Sequence, residues 1–414
     1  MLDFVPDRTG LITALDDLLH RLTPEADPAS PPVALPSTLP ESGLGPGAAL
    51  KSLAQAALDG ARHLDDAGFF AHMDPPTPWV AWAAAQWSAA LNQNLLHPDT
   101  APVAREIESQ VVGWLAPIYG MNGGHFMPGT TLGNLTALWV ARELRGIREV
   151  AATDAAHVSI RKAADLLGLR YRPLRTDRWQ RLARSGLGEL RRSALVLTCG
   201  TVAAGAIDPL DAGMDAAWRH IDAAWAGPLR LSERHSHLLD GIETADSVAV
   251  SAHKWLFQPK ESALVLFRDA VTSHAAITYG AGYLAVPNVG LLGSHGSSAL
   301  TLAATLLAWG RQGTAELIDH CMALAERLAE RIAQEPELEL FAPPRTGVVL
   351  WRPRKQIDLD LLIGRLEGAF VSKARIGEKQ WLRSVAANPM ADPDLVVDRV
   401  LAASAEAARS PSVV

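Results

Sequence analysis

From about Trp79 onward the chain alternates segments of helical period with short apolar or β-branched runs. Helices are expected over Ala101–Leu115 and Leu132–Leu144, and strands near Ala194–Thr198, His220–Ala223 and Ser247–Val250. Such an order joins neighbouring strands through helices, so it predicts an α/β fold on a parallel sheet. Ahead of it, Leu11–Leu22 has helical spacing, and Pro24–Pro46, rich in Pro, Ser, Ala and Gly, reads as a connecting arm. Behind it, Ile318, Cys321, Met322, Ala325, Leu328, Ala329 and Ile332 repeat at helical period, and short strands with a final helix near Leu395–Ala408 follow from Pro343. The expected division is an N-terminal helical and arm segment (1–78), a large domain (79–310) and a smaller C-terminal domain (311–414).

Composition narrows the function. Of 414 residues, 48% are hydrophobic and 20% charged, ample for a core and unlike a disordered chain. The net charge is −7, and no window gathers Lys and Arg as a phosphate-tracking surface does. A nucleic-acid partner is therefore not expected, and a small molecule is. Cys199 and Cys321 form neither a disulfide framework nor a metal-ligand spacing, which suits a reducing cytoplasm. The start, MLDFVPDRTG, lacks a basic then apolar leader, and the apolar stretches Val80–Leu91 and Ala299–Gly310 fall short of the roughly 18 residues a membrane span needs. Neither secretion nor a membrane span is expected.

The chemistry concentrates in Ser251-Ala252-His253-Lys254-Trp255, between the apolar strand SVAV and another apolar run, Ser262–Phe267. A lone lysine ordinarily lies on the surface. At the end of a buried strand, burial disfavours its charged form and leaves a nucleophilic amine suited to a Schiff base with a carbonyl. Asp222, in His220-Ile221-Asp222-Ala223-Ala224-Trp225-Ala226-Gly227, stands where another short strand ends, and strand ends of such sheets form the ligand crevice. A carboxylate there can hold a pyridine nitrogen protonated or simply cap a turn, and the small Ala223, Ala224 and Gly227 leave room for a flat ring. Gly129-Thr130-Thr131-Leu132-Gly133-Asn134-Leu135 opens a helix whose first N–H groups and two hydroxyls suit a phosphate. His157, at a further helix start, either lies over an aromatic ring or serves the fold.

In this order, the four elements resemble the group II pyridoxal-phosphate decarboxylases, the family of the aromatic amino acid, glutamate, histidine and 2,4-diaminobutyrate decarboxylases. The resemblance runs from about His63 to Ala402. It includes Ala90-Leu91-Asn92-Gln93, Ile107-Glu108 with Trp114-Leu115, TTLGNLTAL from Thr130 and the His157 segment. It continues through Thr198-Cys199-Gly200-Thr201, HIDAAWAG, HLLDGIETADS and SAHKW to Leu382-Arg383 and Asn388-Pro389. It implies a fold-type I architecture: a large mixed sheet sandwiched by helices, a smaller C-terminal α+β domain, and a homodimer with active sites at the interface. It implies pyridoxal 5′-phosphate as cofactor and loss of an L-amino acid's α-carboxylate as carbon dioxide, through a Lys254 Schiff base and a quinonoid, to give the amine. By the same resemblance Asp222 pairs with the pyridinium nitrogen and His157 stacks on the ring. Thr130, Thr131, Ser251 and His253 take the phosphate side, Ala224 packs on the opposite ring face, Thr201 falls near the cofactor and Arg383 meets the substrate's α-carboxylate.

Two departures bear on the outcome. Tyr279–Asn288 is short where relatives carry a longer loop whose tyrosine helps protonate the intermediate, so Tyr279 and Tyr283 are the candidates to replace it. Gly293-Ser294-His295-Gly296 stands where many relatives have a Gly-Ser-Arg run, and Thr130 replaces the second Gly of a usual Gly-Gly-Thr; Ser294 is the candidate to reach a partner's phosphate. The competing outcomes on one scaffold are another carbon–carbon lyase, a transaldolase or an oxidative decarboxylation. A metal-binding module on His235, His237 and Asp240 lacks a third and fourth convincing ligand. Phe69, Phe70, His72 and Trp79 are candidate pocket residues, and the substrate's side-chain class is left open.

Overall fold

The structure is a computed structural model that describes residues 7–22 and 35–409. Residues 24–34 of the expected arm lie outside these. The chain divides into two compact units between Asp66 and Ala67. In the first, α1 (Arg8–Arg21) precedes α2 (Pro46–Ala54) and a wide turn at Gln55–Asp59. Arg21 ties the ends of this unit together, with Nε on Asp17 at 2.9 Å and Nη1 on Asp59 at 2.6 Å.

The second unit opens with α3 (Trp79–Leu91) and α4 (Pro102–Leu115). There follow β1 (Gly123–Met127), α5 (Thr130–Arg145), β2 (Glu149–Thr153), α6 (Val158–Leu166), β3 (Arg170–Leu174), β4 (Ser193–Thr198), β5 (Trp218–Asp222), β6 (Ser247–Ser251) and β7 (Ala263–Phe267). These strands form one sheet in the order β1-β7-β6-β5-β4-β2-β3. Every residue of β2, β4, β5, β6 and β7 is buried, which is why β4, β6 and β7 read as nearly continuous apolar runs rather than alternating ones, while β5 buries Arg219, His220 and Asp222 as well.

The sheet is parallel where helices join its strands, as the alternation predicts, and mixed as a whole, as the resemblance implies. From β3 to β6 the neighbours are parallel, whereas β7 runs against both β6 and β1. The connection from β6 to β7, Ala252–Ser262, contains no helix, and a parallel neighbour needs a crossover. The sheet is therefore mixed. The segment carrying Lys254 is this reversal.

After α7 (Ala270–Ala276) and the short pair β8 (Thr278–Tyr279) and β9 (Asn288–Val289), α8 runs over Ala299–Gln334 and is broken at Gly310, whose φ is 65°. A second, antiparallel sheet has the order β10-β11-β13-β12, with β10 at Leu338–Leu340, β11 at Val348–Pro353, β12 at Ser372–Ile376 and β13 at Lys379–Val385. The helices α9 (Leu359–Ile363) and α10 (Pro393–Arg409) complete it. Its core holds Trp351, Leu382, Val396 and Val400 with Leu328 and Ile332 of α8. Among the described residues no helix is long and apolar enough to cross a membrane.

Candidate active site

The site lies at the C-terminal ends of β4, β5 and β6, facing the start of α5. Thr198 ends β4 beside Asp222, which ends β5; Ala249 of β6 is the next partner of Asp222. Asp222 is 3% exposed. Its Oδ1 accepts the Ala224 N–H at 3.1 Å and its Oδ2 accepts Asn134 Nδ2–H at 3.0 Å, so the carboxylate's orientation is held from both sides. The turn-capping role open to such an aspartate is thus filled by one oxygen, while the other is held across the site.

Lys254 sits, partly buried, four residues beyond Val250 of β6. Burial pulls its pKa down, Asp222 and Asp74 push it up, and Lys260 and Arg383 lower it further. The next turn is strained: Phe257 has φ 58° although bulky and 1% exposed, and its N–H bonds the Lys254 carbonyl at 2.9 Å. Two fully buried tryptophans, Trp225 three residues after Asp222 and Trp255 next to Lys254, meet with ring centroids 4.1 Å apart. Each ties a functional loop to the second sheet's region: Trp225 Nε1 donates to the Thr346 carbonyl at 2.6 Å and Trp255 Nε1 to that of Ala386 at 3.2 Å.

At the anion end, Gly129 is the N-cap of α5 and no side chain caps the helix. Thr130 Oγ1 lies 3.2 Å from Ser251 Oγ, joining the helix start to the end of β6. His253 reaches the same place, since a Cβ on Gly129 would lie 3.9 Å from its Cε1. Its Nδ1 is buried without a hydrogen-bond partner, and burial, with Lys260 and Lys254, lowers its pKa to about 4. Thr131 is exposed one residue further on.

His157 is the N-cap of α6: its Nδ1 accepts the Ser159 N–H at 3.2 Å and lies 2.8 Å from Ser159 Oγ. Both roles open to it are compatible, because the cap uses one ring nitrogen and leaves an exposed ring. Burial lowers its pKa, Asp222 opposes that, and Lys254 and Lys162 add to it. Thr201 is spent on its own loop, where Oγ1 accepts the Ala206 N–H at 3.0 Å. Arg383, on β13, is 5% exposed, and burial lowers its pKa to about 10. Its Nε donates to the Val202 carbonyl at 2.6 Å and its Nη1 to Ala71 and Ser372; no hydrogen bond among the described residues uses Nη2.

Several candidates lie elsewhere. Tyr279 stacks on Trp139, with centroids 6.0 Å apart, about 13 Å along α5 from its start at the usual rise per residue. Tyr283 is exposed in the loop between β8 and β9. Ser294 is exposed and accepts Asn94 Nδ2–H at 3.1 Å. Phe70 is fully buried in the second sheet's core and Phe69 packs on Phe370, so both serve packing rather than a pocket wall; His72 and Trp79 are exposed. Of the alternative metal residues, His235 is buried 3.8 Å from Asp319, and Asp240 accepts Arg230 at 3.0 Å. No group of three or more His, Cys, Asp or Glu among the described residues is arranged to hold a metal.

Three residues of the site were not singled out from sequence: Asn134, Ser159 and His220. Asn134 carried a usable signal. It lies one helical turn after Thr130 on a face otherwise occupied by Ala137, Leu138 and Ala141, where a buried amide needs partners.

A lysine and a buried carboxylate at the ends of paired strands, facing a helix N-terminus, define a site for a flat cofactor with a carbonyl, a basic ring nitrogen and an anionic tail. Pyridoxal 5′-phosphate has these three groups. The orphaned His253 Nδ1 and uncapped α5 suit the phosphate, the held Asp222 the ring nitrogen, and Lys254 the carbonyl.

The family model described as the pyridoxal-dependent decarboxylase conserved domain matches residues 33–354, and the chain belongs to that family. It is 31% identical to an L-2,4-diaminobutyrate decarboxylase of Rhizobium meliloti (strain 1021), over 90% of this chain and 84% of that protein. It is 29% identical to an aspartate 1-decarboxylase of Aliivibrio fischeri (strain ATCC 700601 / ES114), over 70% of this chain but only 64% of that protein's length. A crystal structure of Oryza sativa TDC with PLP and tryptamine superposes with a TM-score of 0.86 at 22% identity, covering 98% of this chain and 99% of that one. The architecture is fold-type I, and pyridoxal 5′-phosphate is the family's cofactor.

Proposed function

We propose that this chain removes the α-carboxylate of an L-amino acid as carbon dioxide and releases the amine. The observation that carries the reading is the pairing of Lys254 and Asp222 at neighbouring strand ends against the uncapped start of α5. When bound, pyridoxal phosphate supplies a sink for the electron pair left on Cα as carbon dioxide departs.

The protein's part follows from its residues. Lys254, its charged form disfavoured by burial, would hold the cofactor's carbonyl carbon through its amine and yield that place to the substrate's amine. Asp222, fixed by Ala224 and Asn134, keeps a proton on the ring nitrogen. Thr130, Thr131, Ser251 and His253 receive the phosphate with the N–H groups of α5. His157 and Ala224 would hold the cofactor's ring between them, with Thr201 shaping the loop beside them. Arg383, held through Nε and Nη1, would offer Nη2 to the substrate's carboxylate and so orient the bond that breaks.

Ser294 is assigned to a partner subunit's phosphate, in a homodimer supported by the exposed Trp79, Trp87 and Leu91 of α3. The same reading places the enzyme in the cytoplasm, in keeping with two free, buried cysteines. It divides the second unit at the Gly310 break of α8, into a large domain up to residue 310 and a smaller one over 311–414. Of Tyr279 and Tyr283, the candidates to return a proton to the substrate's Cα, Tyr279 is engaged with Trp139 and Tyr283 is exposed between β8 and β9. The stacking of Tyr279 on Trp139 favours a second outcome on the same site, in which dioxygen takes up two electrons and the products are carbon dioxide, an aldehyde, ammonia and hydrogen peroxide.

Incubating the cofactor-loaded protein with a panel of L-amino acids, following carbon dioxide and identifying the product by mass spectrometry, tests both. A primary amine one carboxyl group short of its substrate establishes decarboxylation and names the substrate class. An aldehyde carries the second outcome, and a panel that shifts the cofactor's spectrum without releasing carbon dioxide overturns both.

A further inference from the structure

Asn134 stands where two parts of the site meet. It is fully buried in α5, and its amide bonds three groups drawn from two elements, β5 and α6. Nδ2 lies 3.0 Å from Asp222 Oδ2 and 3.0 Å from Ser159 Oγ, and Oδ1 lies 2.9 Å from His220 Nε2. His220 Nδ1 in turn lies 2.9 Å from Ser247 Oγ, which accepts Trp218 Nε1–H at 2.8 Å. Ser159 Oγ lies 2.8 Å from His157 Nδ1.

The donors and acceptors fix every proton in this chain. The Asp222 carboxylate only accepts, so Asn134 turns Nδ2 to it and Oδ1 to His220 Nε2, which must donate; the Ser247 hydroxyl, which accepts the Trp218 indole N–H, then donates to His220 Nδ1. Burial lowers the His220 pKa to about 4, so the ring is neutral and its one hydrogen is on Nε2, facing Asn134 Oδ1. That sets the amide: both Nδ2 hydrogens are spent, one on Asp222 and one on Ser159. Ser159 then donates its hydroxyl hydrogen to His157 Nδ1, which also accepts the Ser159 N–H. The hydrogen of neutral His157 is therefore on Nε2. The opposite polarity would set the amide oxygen against the Asp222 carboxylate, which has no hydrogen to donate.

We propose that Asn134 is a positioning residue of the cofactor site, whose single amide holds the Asp222 carboxylate and, through Ser159, the orientation and tautomer of His157. The inference rests on the functional reading above and adds to it. Two groups that meet a bound ring at its edge and on its face are set by one side chain that touches neither ring nor substrate. Rotation of that amide would move both at once.

The test compares the cofactor-loaded wild type with Asn134→Ala and Asn134→Asp. The titratable and charged groups around Asp222 are Lys254, His157, His220 and Cys199, and none of them is changed. In Asn134→Ala we expect kcat to fall roughly 10- to 100-fold, the usual loss when an orienting group is removed, with KM changed less than about threefold. The pH titration of the bound cofactor's absorbance should shift, because Asp222 loses a hydrogen bond to its charged form. Asn134→Asp keeps an acceptor for His220 but sets an oxygen against Asp222 Oδ2. Ionised it repels, and protonated it donates. Its activity and cofactor spectrum should therefore recover relative to wild type as pH falls from about 8 to about 6, whereas Asn134→Ala should not recover.

A variant that melts at lower temperature yet keeps the wild-type spectrum, pH profile and kcat overturns the inference and leaves Asn134 a core residue. Should Asn134→Ala not fold, the acid recovery of Asn134→Asp decides alone, and its absence counts against the proposal. A wild type that binds no pyridoxal phosphate overturns the functional reading itself, a result distinct from either.

Discussion

Gly347 is the position where one methyl group should reach the active site through the fold. It precedes β11 with φ 71°, and a Cβ there would lie 2.5 Å from Trp255 Cζ2 and 2.7 Å from its Cη2. Trp255 cannot retreat, because it is fully buried and its ring stands 4.1 Å from that of Trp225. In Gly347→Ala the left-handed backbone costs about 1 kcal/mol and the overpacking about 1–3 kcal/mol, so a loss of about 2–4 kcal/mol is expected. Trp255 adjoins Lys254, and displacement of a reacting group by a fraction of an ångström costs activity, so kcat should fall roughly tenfold in the protein that stays folded. Gly377→Ala separates the two terms. Gly377 has φ 59° with nothing within 4 Å of an added Cβ, so that variant should lose only the backbone term, about 1 kcal/mol, and none of the activity. Urea unfolding of the apo forms and steady-state rates of the loaded ones measure both. Equal stabilities for the two variants, or unchanged kcat in Gly347→Ala, would refute the claim that the tryptophan pair is a rigid support for the site.

Other consequences follow from single residues. Lys254→Ala should lose turnover and the covalent hold on the cofactor; borohydride treatment that still attaches a pyridoxyl group to this variant would sink the assignment. Asp222→Ala should retain the cofactor but turn over by about three or more orders of magnitude more slowly, and near-normal rates would mean that the ring nitrogen has another partner. Acid should destabilise the apo protein below about pH 6.5, because burial holds His220 and His253 to about 4 in the fold against 6.5 for the free group, so the stability present above 6.5 is lost as pH falls toward 4. Asp208 acts in the opposite sense, since burial raises it from 3.8 to about 6 and its contribution is lost as pH rises through that window. Urea midpoints measured at closely spaced pH should therefore fall on acidification, more steeply in Asp208→Asn than in the wild type; a shallower fall in Asp208→Asn would mean that this carboxyl is ionised in the fold.

The buried strands were legible because burial on both faces leaves one compositional option. The expected Ser247–Val250 and Ala194–Thr198 fall within a residue of β6 and β4. The direction of β7 was not legible from strand composition, which is the same for parallel and antiparallel neighbours; it depends on the helix-free path through Ala252–Ser262. Lys254 and Asp222 could be marked out because polar residues at the ends of apolar runs stand out. The displacement of Tyr279 could not, because its stacking on Trp139 depends on where α7 delivers the short β8 strand, a tertiary fact. Phe69 and Phe70 show the converse: aromatic residues expected in a pocket wall were claimed by a core that periodicity alone does not locate.

Strand β5 explains why the polar network is where it is. Side chains alternate across a strand, so Trp218, His220 and Asp222 share one face while Arg219 points to the other. Arg219 is satisfied by the carbonyls of Ala212 and Thr244, within 3.2 Å and 3.0 Å, and by that of Leu210. The opposite face lies against α5, and there a buried strand with three polar groups in alternate positions would be costly if any were unpaired. Ser247 on β6 accepts the indole and serves the imidazole, while Asn134 serves the imidazole and the carboxylate. Placing Asp222 at the strand end thus brings a requirement back along the strand, residue by residue, until the chain of bonds closes on a donor that needs no further partner, the indole of Trp218. An apolar residue at 220 would leave both Ser247 and Asn134 Oδ1 short of a bond, free the amide to turn, and unlock the one carboxylate on which the cofactor's charge depends.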